Sequence, residues 1–172
     1  MRRTRRLTSS ALGIATSPLA VAVGGPLWSL RWLGVHGGAG VSALMSLTGI
    51  GHDAGAVWPA DDGSQRVPVV VVCRATGTGS AACATAIEQW RTAPALRHVD
   101  LLGLVVVAAS PRPVPNPVTA RLLLMAGWVP NHWWVGWQDA YVAADDVRTV
   151  GPSPDVIALR DSLTGLVNGA SS

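Results

Sequence analysis

The sequence predicts an α/β fold, a mostly parallel sheet with helices on both faces. Residues 67–73 (VPVVVVC) and 101–109 (LLGLVVVAA) are apolar without alternation, the pattern of strands buried on both sides. Segments with helical spacing of apolar residues lie around them, so strand and helix alternate along the chain, as parallel strands require. With 172 residues and 49% hydrophobic content, one domain with a generous core is expected.

The elements follow from periodicity and punctuation. Residues 30–35 (LRWLGV) form a short strand, a glycine-rich turn follows, and residues 41–47 open a helix. Residues 49–66 (GIGHDAGAVWPADDGSQR) read as a polar connection, with no apolar run to build a strand. The strand at 67–73 leads to a helix at 79–91, where Ala82, Ala86 and Trp90 share a face beside Cys83 and Ile87. Next come the strand at 101–109, a helix at 117–126 with proline in its first turn, a short strand at 133–137, and a helix at 154–167 capped by Ser153. Ligands of such sheets sit beyond the carboxyl ends of the strands, where residues 36–42 fall.

The net charge of +3 is a property of the amino terminus. Without Arg2, Arg3, Arg5 and Arg6, nine basic residues face ten acidic ones, and the remainder carries 9 − 10 = −1. Nucleic-acid binding by a broad basic face is thereby disfavoured. Residues 1–29 are expected to be a flexible basic and apolar leader to a domain at 30–172. The basic start and Ala20-Val21-Ala22 also resemble a secretory signal, but Pro18, Gly24, Gly25 and Pro26 interrupt the apolar stretch. A cytoplasmic location is expected, with secretion or membrane anchoring through the leader as the alternative. Cys73 and Cys83 are too few for a disulfide scaffold or a metal cluster, and read as reduced, buried thiols.

Residues 30–47 (LRWLGVHGGAGVSALMSL) read as strand, glycine-rich turn and helix start, the construction of a phosphate-binding loop, yet the chain contains no lysine. The backbone amides of such a loop position phosphates, whereas a lysine supplies the full charge used in catalysis. The run His36-Gly37-Gly38-Ala39-Gly40-Val41-Ser42 resembles the deviant Walker A motif Lys-Gly-Gly-x-Gly-Lys-Thr/Ser of the ParA/MinD group of P-loop ATPases. Three glycines and the hydroxyl match; His36 and Val41 stand where that family has lysines. VPVVVVCRATGTGSAACATAIEQW is similar to its strand and helix after the switch region, LLGLVVVAASP to its next core strand, and WWVGWQDAYVAADD to the strand and acidic turn closing its nucleotide pocket. The resemblance implies a reduced P-loop NTPase-like fold without the Walker B strand. Its implied ligand is ATP or ADP, weakly bound, with no cofactor certain.

The phosphate or nucleotide site is therefore expected at His36, Gly37, Gly38, Ala39, Gly40, Val41 and Ser42. Arg74 and Arg112 follow the two buried strands and are candidate replacement cations. His36 either donates to phosphate or ends its strand structurally; both readings stand. Asp53, Asp61 and Asp62 follow no recognised strand, and His52 with Asp53 lacks a nucleophile, so no catalytic residue is assigned. Trp128, Trp133, Trp134 and Trp137 cluster so closely that part of them should form an exposed patch for a protein partner. The expected function is a non-hydrolysing or weakly nucleotide-binding module with a regulatory or partner-binding role. The alternatives are an active ATPase using arginine, or a tethered or secreted domain without nucleotide function.

Overall fold

The computed structural model describes residues 18–22, 30–61, 63 and 66–169. The arginines of the leader and the remainder of residues 1–17 and 23–29 lie outside the described residues.

The strands are β1 (Ala20–Ala22), β2 (Arg31–Gly34), β3 (His52–Gly55), β4 (Val57–Pro59), β5 (Val67–Arg74), β6 (Val99–Val107) and β7 (His132–Val135). The helices are α1 (Val41–Thr48), α2 (Gly77–Thr92), α3 (Asn116–Ala126), the short α4 (Asp139–Ala143) and α5 (Pro154–Gly169). Five strands form one parallel sheet in the order β3-β2-β5-β6-β7, while β1 and β4 make a separate parallel pair. The α/β architecture expected from the sequence is thus present.

The unbroken apolar runs are explained by their two neighbours. In β5, Val67, Val69, Val71 and Cys73 enter the core under α2 and α3, whereas Val70 and Val72 enter the core under α1 and α5. Burying each such valine contributes on the order of 2 kcal/mol, so a strand flanked on both faces gains from every residue. In β6 the alternation slips at Gly103, where the chain entering β7 lies so close that a Cβ would collide with the carbonyl oxygen of Asn131. The helix starts follow from local chemistry. Thr76 Oγ1 accepts from the N–H of Gly79 at 2.9 Å and caps α2, and Ser153 Oγ accepts from Val156 at 3.5 Å at the start of α5.

Residues 49–66 depart from expectation, because they contain β3 and β4. The side chains of β3 are mostly exposed, and its strand character comes from backbone pairing to β2 at the sheet edge, which needs no apolar run. In β4 a single residue supplies the apolar contact: Trp58 is fully buried, with Nε1 donating to Gln89 Oε1 at 3.0 Å.

The described part of the expected leader is packed against the domain. Gln89 accepts from the N–H of Leu19 at 2.9 Å and donates from Nε2 to the carbonyl of Leu19 at 2.9 Å. Residues 20–22 then pair with β4. Among the described residues, no helix is long and apolar enough to cross a membrane.

Candidate phosphate-loop site

β2 ends at Gly34, and the chain turns through residues 35–40 into α1 at the carboxyl edge of the sheet. Gly38 (φ 76°) and Gly40 (φ 105°) adopt left-handed angles that a side chain would oppose. Ala39 donates to the carbonyl of His36 at 3.3 Å, closing the turn. Gly40 stands at the cap position and offers no side-chain acceptor to α1. The first amides of α1 therefore have no side-chain cap from Gly40 and lie at the positive end of the helix dipole.

This turn forms one wall of a cleft of about 450 Å³, lined by Gly34, residues 36–43, Asp53, Gly55, Ala56 and Arg74. Ser42 is exposed on it, whereas Val41, the first residue of α1, is buried in the core under α1 and α5. Asp53 also opens onto the cleft; one of its oxygens accepts from the N–H of Gly55 at 2.7 Å. Sequence reading passed over Asp53 because the polar edge strand that carries it has no apolar signature.

Arg74 is the residue that closes the arrangement. Its Nε donates to the carbonyl of Gly38 at 3.1 Å, and Nη1 donates to the carbonyl of Ala108 at 2.9 Å. The guanidinium thus spans the loop and the end of β6. The ion pairs among the described residues, Arg148 with Asp146 and Arg160 with Asp161, leave it out, so no carboxylate neutralises it there.

His36 is engaged structurally. The backbone N–H of Arg74 meets His36 Nε2 at 3.1 Å, and since that amide can only donate, Nε2 is the unprotonated acceptor. Nδ1 then carries the proton and donates to the carbonyl of Gly37 at 2.9 Å. Both ring nitrogens are used, and the ring ties the end of β5 to the loop. Donation to a phosphate would require breaking one of these bonds.

A second cleft of about 230 Å³ lies beyond β6 and β7 and shares Gly40, Ala43 and Arg74 with the first. Its remaining wall is largely apolar, including Leu44, Val107, Val135, Trp137 and Tyr141. Tyr141 is fixed there, its hydroxyl donating to the carbonyl of Gly151 at 3.0 Å and accepting from the N–H of Ser153 at 2.6 Å.

The other expected site residues are dispersed. Arg112 is exposed, lines neither cleft, and has its backbone N–H on Ser110 Oγ at 3.3 Å. Sequence proximity to a strand end therefore did not place Arg112 at the loop. The four tryptophans do not make one patch. Trp128 lies under Arg91, whose guanidinium carbon sits 5.0 Å from the ring centre. Trp133 packs on the α1 and α5 side with Nε1 on Ser162 at 3.2 Å. Trp137 follows the end of β7 and lines the second cleft. Trp134 is 46% exposed, beside a mainly apolar groove that also includes Leu122 and Leu123 of α3. Trp133 and Trp134 are successive residues of β7 and so take opposite faces of the sheet, and β7 ends at Val135, before Trp137.

Among the described residues no group of three or more His, Cys, Asp or Glu could hold a metal ion. Comparisons with protein-family models, with curated proteins and with solved structures found no match.

Proposed function

We propose that this chain is a phosphate-ligand module, a degenerate relative of the ParA/MinD ATPases, that binds a nucleotide weakly and serves a regulatory or partner-binding role without efficient hydrolysis. The observation that carries the reading is Arg74, a cation held between the glycine loop and the end of β6 and shared by both clefts. A polar loop cleft joined to a mainly apolar pocket suits a ligand with phosphate at one end and a flat apolar ring at the other. The absence of any lysine supports weak binding. A unit charge about 4 Å from phosphate is worth roughly 4 kcal/mol at an effective dielectric near 20, more than a helix terminus contributes.

Calorimetric titration with ATP and ADP, with and without magnesium, tests this reading. Saturable binding is expected in the wild type, with Arg74→Ala weakening it about tenfold or more and Gly38→Val, which forces a branched side chain into a left-handed angle, abolishing it. No heat at millimolar ligand would end the proposal. A second reading, hydrolysis, is favoured by Asp53 alone, since a carboxylate and the Ser42 hydroxyl open onto the same cleft as the oxygen donors a magnesium ion prefers. Phosphate release above background that vanishes in Asp53→Asn would establish it.

A further inference from the structure

Among the described residues that line the two clefts, the charged side chains are Arg74 and Asp53, and they are placed differently. Arg74 belongs to both clefts, as do Gly40 and Ala43, and so marks the passage between them. Asp53 lines the loop cleft alone, beside Gly55 and Ala56. His36 adds no charge, because its Nε2 accepts from the amide of Arg74 and Nδ1 carries the ring proton.

The cation is partly committed already. A guanidinium has five N–H donors; here Nε donates to the carbonyl of Gly38 and Nη1 to the carbonyl of Ala108. The donors left over suffice for one phosphate group gripped through two parallel hydrogen bonds, and not for a row of them. The start of α1 adds a positive end worth roughly half an elementary charge, too little to offset the carboxylate of Asp53.

The order of these groups matters for a ligand that lies across both clefts. With its ring in the apolar second cleft, the ligand passes Arg74 on entering the loop cleft, so the phosphate next to the sugar meets the cation. Each further phosphate extends into a space that offers the negative charge of Asp53 and no second cation from the described walls.

We propose that the site selects a nucleoside monophosphate over the di- and triphosphate, with Arg74 holding the single phosphate at the junction of the clefts and Asp53 repelling longer phosphate chains. The inference rests on reading the clefts as a nucleotide site and names the ligand class of that site. A triphosphate carries every group of the monophosphate, so only an unfavourable contact can turn it away, and a like charge on the far wall is such a contact.

The test is calorimetric titration of the full chain with AMP, ADP and ATP in EDTA, where no magnesium masks the phosphate charge. The wild type should bind AMP about tenfold more tightly than ATP, with ADP between them. Asp53→Asn keeps a side-chain oxygen for the N–H of Gly55 and removes the charge, so it should tighten ATP about tenfold and leave AMP within about twofold. Arg74→Ala should weaken AMP about tenfold or more. An ATP affinity equal to or above that of AMP in the wild type would overturn the inference and leave the nucleotide site standing. A gap between AMP and ATP that persists in Asp53→Asn, or AMP affinity unchanged in Arg74→Ala, would do the same. AMP binding that survives Gly38→Val would place the ligand away from the loop and also overturn the inference. An absence of binding by all three nucleotides would overturn both readings.

Discussion

At the residue scale, His36 is fixed by a contact that its own stretch of sequence does not contain. A histidine beside a glycine-rich turn suggests a donor to phosphate, and its place after a strand equally suggests a structural role. The choice follows from a residue 38 positions away, because the amide of Arg74 requires an acceptor and takes Nε2. Nothing in the local sequence expresses that demand. Replacing His36 with alanine leaves a part-buried N–H without its acceptor and frees the loop from β5, which should cost about 1–3 kcal/mol and lower the urea midpoint accordingly. A midpoint unchanged from wild type would show that the ring does not tie the loop to the sheet. Arg74, by contrast, was legible beforehand. It directly follows an unmistakable buried strand, whereas Arg112 lies within a proline-rich segment, between Pro111 and Pro113, whose course no periodicity encodes.

At the element scale, the strands that periodicity revealed are those flanked on both sides. β5 and β6 bury nearly every side chain and so announce themselves as apolar runs. β3 at the sheet edge and the pair β1 and β4 escaped notice because backbone hydrogen bonds, supplemented by one tryptophan and one glutamine, hold them. Gln89 illustrates the cost of removing such a residue. It satisfies the N–H and carbonyl of Leu19 and the indole N–H of Trp58. Gln89→Ala should destabilise the domain by about 1–3 kcal/mol and speed amide hydrogen exchange across residues 19–22 ahead of the central sheet. Exchange there at the wild-type rate would mean that β1 does not depend on the Gln89 contact.

At the scale of the whole molecule, two apolar layers enclose one parallel sheet, and the chemistry collects at its carboxyl edge. The layer under α2 and α3 contains both cysteines, each fully buried. The hydrogen bond from Cys73, then burial, hold the Cys83 thiol well above its usual titration range. A buried thiol that resists ionisation is a poor nucleophile. Neither cysteine should be alkylated by iodoacetamide at pH 8 in the native protein, and both should react once urea unfolds it. Mass spectrometry of the labelled chain reads this directly; rapid native labelling would show that the layer opens readily.

The sequence by itself determined the fold class, the order of the main helices and strands, the position of the glycine loop and the burial of the thiols. Those properties arise from local propensity and from the number of faces a segment buries, both of which leave a periodic trace. Only the tertiary structure decided that Asp53 joins Arg74 in the loop cleft, that Arg112 does not, that the tryptophans separate, and that residues 18–22 pack against the domain. These outcomes depend on single directional contacts between distant residues, and one hydrogen bond has no period to be read along a chain.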